Sequence, residues 1–298
     1  MPQNNSITYP GGAPSINGQT GALTVSALLK QPTYLAKRIV PDERLFLSDL
    51  LFRPGTTDSG AVVYNAARAE DRYPSRGDSQ IVEPGAEFPM IDLAEGPDLV
   101  AVALKTGAGY IVTDEARDRN RLDVIAKGNA KVRNTIMRQD AARCLAAFNA
   151  AAPTVNATAK WSTAKAMRTD VTKAVAQIRA AQLGYTPDTV LVNPATVSDL
   201  LLLDELVNLS PREDPNRNPL FSNELANYLG LNWAVNDFVP AGTAIVLESR
   251  TAGINVVEKP LTINVVREGT RERDVVIASR RSVPVVDEPS SVVVIKGV

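Results

Sequence analysis

Between Thr113 and Pro153 apolar side chains recur on a grid of three- and four-residue steps: Leu122, Ile125, Val132, Ile136, Cys144 and Phe148, interrupted by polar Asn129 and Asp140. This spacing puts them on one face of an α-helix. Arg117, Arg119, Arg121, Lys127, Lys131, Arg133 and Arg138 lie between them. Thr113 suits an N-cap, Asp114 and Glu115 match the positive end of the helix dipole, and Pro153 ends the pattern. The pattern predicts one rod of about 35 residues, roughly 50 Å at 1.5 Å per residue. That is long for a compact domain and suited to bridging two regions.

Upstream the pattern is broken. Met1 to Ala22 is rich in Asn, Gly, Pro and Ser, with too few large apolar groups to offset the entropy of ordering alone. It reads equally as a disordered tail or as an arm ordered by neighbouring copies. Leu23 to Phe52 holds short apolar clusters separated by Pro32, Pro41 and Pro54, which allows short helices at best. Ala61 to Tyr64 reads as a strand and Glu70 to Gly85 as a polar tip. Leu99 to Leu104 reads as a second strand, with Val100, Val102 and Leu104 on one face. A lone hairpin of this length has little core and is marginal in water, so it is expected to lie against something else.

Downstream, Trp161 to Gly184 reads as a helix with Met167, Val171, Val175, Ile178 and Leu183 inward and Gly184 as C-cap. Thr189 to Val192 is a fully apolar strand stopped at Asn193-Pro194. Val197 to Leu209 reads as a helix, 210–218 as a charged loop, and Asn223 to Leu229 as a short helix ending at Gly230. Strands are predicted at Ala244 to Leu247, Ile254 to Val257, Leu261 to Val266, Val275 to Ser279 and Val292 to Ile295. Helices and strands mix without a βαβ repeat, which makes the chain α+β.

Composition narrows the chemistry. The 298 residues contain no histidine, the usual general base near neutral pH and the commonest metal ligand, so Ser-His-Asp, Cys-His and HExxH sites are impossible. Cys144 is the only cysteine and sits in an Ala-rich apolar stretch, which predicts a small core residue rather than a nucleophile. A net charge of -1 gives no general attraction to nucleic acid, so any such contact is expected to be local and non-specific. No apolar run approaches the ~20 residues of a membrane span, and the N-terminus lacks the regions of a signal peptide. With no sign of a removed pro-segment either, the protein is expected to be made in, and to stay in, a cytoplasm.

Four segments together resemble one family. They are Tyr110-Ile-Val-Thr-Asp-Glu115 leading into the long helix, and Asp188-Thr-Val-Leu-Val-Asn-Pro194 followed by Leu200 to Leu203. Then come Leu229-Gly-Leu-Asn-Trp-Ala-Val235 with Val239-Pro-Ala-Gly-Thr-Ala-Ile-Val-Leu247, and Asp274-Val-Val-Ile-Ala-Ser-Arg280 with Val283-Pro-Val-Val-Asp-Glu-Pro289. In order and spacing, over about Leu23 to Ile295, they resemble the major capsid proteins of tailed bacteriophages, the Hong Kong 97 type. The resemblance implies an N-terminal arm (1–55), a long hairpin called the E-loop (56–108), and a peripheral domain with the spine helix (109–153). A compact axial domain (154–260) and return strands shared by both domains (261–298) complete it.

The function it implies is a non-enzymatic shell subunit, without cofactor or metal, that assembles into hexamers and pentamers around double-stranded DNA in a virion built in the bacterial host cytoplasm. The same fold also serves encapsulin-type shells that enclose a cargo enzyme, and a carboxylate or Lys105 enzyme is a third, different class. Implied partners are further copies of the chain, a separate scaffolding protein, a portal, a decoration protein and packaged DNA, with no membrane. Interface candidates are Arg72, Arg76 and Asp78 at the hairpin tip and Arg212 and Arg217 in the charged loop. Some relatives crosslink the E-loop through a lysine, but none occurs here between Lys37 and Lys105, which leaves non-covalent contact. About 60 residues precede the E-loop, too few for a fused scaffolding segment, which implies a separate scaffolding protein or a self-sufficient arm.

Other motifs have plainer explanations. Arg76-Gly77-Asp78 matches an adhesion tripeptide by chance, and Gly107-Ala108-Gly109 lacks the surroundings of a dinucleotide loop. Asp98, Asp114, Glu115 and Asp118 could be imagined around a metal, but helix capping accounts for the last three. The arginines of the long helix are expected to meet a neighbour's acids rather than DNA.

Overall fold

Mixed helices and strands make up the computed structural model, which describes residues 24–30, 32, 35, 46–68, 82–88, 98–203 and 228–298. In chain order the elements are α1 (Val25–Lys30), α2 (Leu47–Leu51), β1 (Arg53–Thr56), β2 (Ala61–Asn65), β3 (Asp98–Val102) and β4 (Leu104–Thr113). Then follow α3 (Asp114–Asp118), α4 (Leu122–Ala151), β5 (Thr154–Asn156), α5 (Ala164–Ala180), β6 (Thr189–Val192) and α6 (Pro194–Leu201). The last are β7 (Asn232–Val235), β8 (Thr243–Leu247), β9 (Ile254–Glu268), β10 (Arg273–Val285) and β11 (Val292–Lys296). The chain divides into two units, each drawn from three segments. One comprises Met1–Leu47, Ala103–Asp140 and Val257–Ser282; the other comprises Ser48–Val102, Ala141–Val256 and Val283–Val298.

In the first unit β4 runs antiparallel to β10 through ten residue pairs, from Leu104↔Ser282 to Thr113↔Arg273, and β9 lies on the other side of β10. Ile125, Val132 and Ile136 of α4 pack with Val112, Val276, Ala278 and Ile263 of the strands, joined by Val25, Leu28, Leu29, Leu35 and Phe46. The helical spacing read from the sequence is therefore the buried face from Ile125 onward, whereas Leu122, counted on the same face, is 41% exposed in the first turn. Gly107 and Gly109 have a packing reason: a Cβ on them would lie 2.7 Å from the Ala278 carbonyl oxygen and 2.8 Å from that of Val276.

Thr113 does cap a helix, its hydroxyl accepting from the Ala116 N–H at 3.4 Å. That helix is only five residues long. The predicted unbroken rod is interrupted after Asp118, because Asn120 turns into the left-handed region (φ 48) and its Oδ1 accepts from the Val25 N–H at 2.8 Å. The spine proper is the 30-residue α4, about 45 Å long. A second correction concerns β9. Two strands were expected either side of Pro260, yet one 15-residue strand runs through it. Four-residue β1 can pair with only part of β9, so a proline without an N–H is tolerated on the rest of that edge.

The second unit holds a five-stranded sheet, β5-β11-β8-β6-β7. β6 pairs parallel with β7 and antiparallel with β8, and β11 pairs antiparallel with β8 and parallel with β5. All four residues of β6 are buried, which fits its uninterrupted apolar run. Met167, Val171, Ala174 and Ile178 of α5 pack on Val190, Val192, Val246, Val293 and Ile295, flanked by Trp161 and Trp233. Asp170, buried on the same helix, accepts from the Thr158 N–H (3.1 Å), the Thr158 hydroxyl and the Trp161 indole N–H (3.0 Å). These bonds tie the preceding loop to the helix.

Four helix ends differ from the expected ones. α5 begins at Ala164 with Thr163 as N-cap and stops at Ala180, with Ala181 as C-cap and Gln182 left-handed (φ 53), so Gly184 lies beyond it. α6 starts three residues before the expected Val197, because Pro194 fits the first turn and Asn193 accepts from the Ala195 N–H at 2.8 Å. It ends at Leu201 with Leu202 as C-cap, and 204–209 of the expected helix lie outside the described residues. The helix expected at Asn223 to Leu229 falls mostly outside the described residues; a 3-10 turn covers Tyr228–Gly230.

Candidate functional site

Most apolar side chains of the second unit are covered, but those of the β2–β3 ribbon are not. The two strands pair antiparallel with Ala61↔Val102, Val63↔Val100 and Asn65↔Asp98 on one face, and Val62↔Ala101 and Tyr64↔Leu99 on the other. Among the described residues they form a two-stranded sheet. On the first face Val63, Val100 and Val102 are 64%, 66% and 56% exposed. Cross-strand valines stabilise a ribbon, yet here they do so while still facing solvent. A contiguous apolar ladder of this kind is the sort of surface that a partner covers. Leu104, grouped with Val100 and Val102 from the sequence, is also exposed, at 59%.

The tip of this excursion lies partly outside the described residues. Arg72, Arg76 and Asp78 fall in 69–81, and Arg212 and Arg217 fall in 204–227, so the structure places none of the five candidates. The charge of the excursion is nevertheless plain. Residues 56–102 carry nine acids against three arginines, a net charge of -6, in a chain whose total is -1.

The opposite sign sits on α4. Lys127, Lys131 and Arg138 are exposed on the helix and Arg133 is half-buried. After Asp123, the only acid of α4 is Asp140, which is buried and lies 3.7 Å from Arg280, itself buried with its guanidinium carbon 4.2 Å from the centre of the Phe46 ring. The outer face of α4 past its first turn is therefore basic.

The residues imagined around a metal are engaged elsewhere. Asp114 is gripped by the Arg267 guanidinium and lies 3.2 Å from Arg117; Asp274 lies 3.3 Å from Arg117 and 3.5 Å from Arg267. The hydrogen bond from Arg267 holds the Asp114 carboxyl below the usual carboxylate range, and the Thr113 side chain does the same for Glu115. Among the described residues no three acids or cysteines are placed to hold a metal ion, and no helix is long and apolar enough to cross a membrane. Cys144 is fully buried, as its surroundings predict. The Arg267–Asp114 and Arg280–Asp140 pairs had no local signal, since 153 and 140 residues separate the partners.

The arrangement thus offers surfaces: an apolar, acidic excursion and a basic helix. Comparison with known proteins points the same way. The phage capsid protein family matches residues 98–295. A virus-like particle protein from Pyrococcus furiosus superposes with a TM-score of 0.63 at 12% identity, over 91% of this chain and 100% of that one. The capsid of cyanophage P-SCSP1u gives 0.58 at 13% identity, over 82% and 86% of the two chains. A structure from Mycobacterium phage Che8 gives 0.57 at 15% identity, over 99% and 98%. At these identities the likeness establishes the fold, the α+β architecture of the Hong Kong 97 type. No curated protein matches the chain.

Proposed function

The chain belongs to the phage capsid protein family, and on that premise we propose that it is the repeating subunit of an icosahedral shell of hexamers and pentamers around double-stranded DNA. Its work is structural. The observation that carries this reading is the valine ladder of β2–β3, more than half exposed on a two-stranded ribbon.

Covering the ladder with a neighbouring copy is favourable. Full burial of a valine is worth at least about 1.5 kcal/mol, so three that are roughly 60% exposed offer about 3 kcal/mol per hairpin. The acidic excursion of one copy and the basic face of α4 on the next supply the register, because unlike charges orient such contacts more than they tighten them. Each contact is weak, but a subunit that both gives and receives one joins a closed ring, where contacts reinforce each other. In this reading residues 1–55 are the arm, 56–108 the E-loop, 109–153 the peripheral domain with its spine and 154–260 the axial domain. Residues 261–298 are the return strands. Arg212 and Arg217 line the ring centre, and Arg72, Arg76 and Asp78 meet a neighbour. A separate scaffolding protein, a portal and a decoration protein act with it, in the host cytoplasm before release.

A second reading, an encapsulin-type compartment around a cargo enzyme, is supported by the likeness to the Pyrococcus furiosus particle. The contents separate the two: nuclease-protected DNA of defined length for the first, a stoichiometric second protein for the other. The test of the shared premise is deletion of Asp71 to Gly85. Electron microscopy should show shells from the full chain and folded subunits without stable shells from the deletion. Normal particles from the deletion would refute the role of the hairpin.

A further inference from the structure

Helix α5 carries a charged face that the shell contacts above do not use. Between Thr154 and Pro187 the chain has five cations, Lys160, Lys165, Arg168, Lys173 and Arg179, and one acid, Asp170. That acid is buried beneath the helix and occupied by Thr158 and Trp161. All five cations are exposed. Lys165, Arg168 and Thr172 line a shallow groove of about 500 Å³ with Thr169, Lys173 and Ala176. Lys165, Arg168 and Arg179 have no ion-pair partner among the described residues, while Lys173 donates to the Thr158 hydroxyl at 3.1 Å.

We infer that this face of α5 is a sequence-independent contact for the phosphate backbone of duplex DNA. Two observations favour a polyanion over a protein partner. The face has no apolar anchor beyond Ala176, whereas the centre of a protein interface is depleted in charge and built on large apolar or aromatic groups. Its polar residues are lysine, arginine and threonine, the side chains that bond phosphate oxygens without reading bases. From Lys165 to Arg179 the helix rises about 21 Å, a length along which one strand of duplex presents about six phosphates. The inference rests on the shell reading for where the duplex is met, but the contact itself belongs to the single subunit.

The test uses the full chain at a concentration where sedimentation shows unassembled subunits, with a 30-base-pair duplex of random sequence followed by fluorescence anisotropy at several salt concentrations. One variant combines Lys165→Gln, Arg168→Gln and Arg179→Gln. A control of equal charge change away from both α4 and α5 combines Arg250→Gln, Lys259→Gln and Lys296→Gln, three exposed cations. The α5 variant should bind about tenfold or more weakly at 50 mM salt, and its log-log salt slope should be shallower by about 2.7 for three lost phosphate contacts. The control should stay close to wild type. Equal binding by the α5 variant, an equal loss in the control, or displacement of the duplex by polyglutamate at matched charge would each overturn the inference, the last in favour of an acidic protein surface. Microscopy of the same wild-type preparation at assembly concentration reports separately on the shell reading.

Discussion

Replacing Gly128 with alanine sets two effects of opposite sign against each other. At an ordinary helix-interior position the change stabilises by about 1 kcal/mol, because alanine has less backbone freedom to lose. On α4, however, a Cβ at Gly128 would lie 2.5 Å from Cδ2 and 2.6 Å from Cγ of Tyr110. That ring is not free to swing away. Its hydroxyl donates to Asn129 Oδ1 at 2.7 Å, and its backbone is held in β4 opposite Val276. Burial pushes the phenol pKa up, so it remains a donor throughout the neutral range. Overpacking of this kind costs about 1–3 kcal/mol, and a lost hydroxyl bond adds roughly 1 kcal/mol. The steric effect wins, and Gly128→Ala should destabilise the chain by about 1–3 kcal/mol net of the propensity gain. In a Tyr110→Ala background the obstacle is gone, and the same change should stabilise by up to about 1 kcal/mol. Urea denaturation followed by far-UV circular dichroism of the wild type, both single variants and the double variant measures this reversal of sign. A higher midpoint for Gly128→Ala in the wild-type background, or equal losses in both backgrounds, refutes the packing argument.

Two further outcomes follow from the ion pairs. Arg280→Met removes the buried cation facing the Asp140 carboxylate and should cost about 3–5 kcal/mol, most of it recovered when Asp140→Leu is added; a double variant as weak as the single one would contradict this. Asp114 has a lowered folded pKa, so its contribution is present above the unfolded value of about 4 and fades as pH falls through the folded one. The unfolding midpoint of the wild type should therefore drop more steeply in that acid window than that of Arg267→Gln, and parallel curves would remove the pair from the account.

Local chemistry was legible and distant chemistry was not. Thr113 announces a helix start and Val190 to Val192 a buried strand, because capping and apolar runs act over a few residues. The break at Asn120 could not be read: Arg119-Asn120-Arg121 is compatible with a helix, and the turn is held by Val25, 95 positions away. Pro260 misled because a proline stops a central strand but not a strand with a free edge, and the edge is a property of the sheet. β5 and β7, three and four residues long, exist only by pairing with β11 and β6. For the candidate surface, alternation picked out Val100 and Val102 correctly as one face, while the basic side of α5 was passed over in favour of its apolar stripe. The five charged interface candidates belong to segments outside the described residues.

The order of strands in the second unit has a consequence for timing. β11, which follows the other four strands in the chain, lies between β5 and β8, so the sheet has a gap where its second strand belongs until residue 296 has been made. β4 must likewise wait for β10, synthesised some 160 residues later. Such distant pairings close slowly and late. A nascent chain that has not yet reached residue 296 therefore cannot close this sheet, whatever the intrinsic stability of the parts already made.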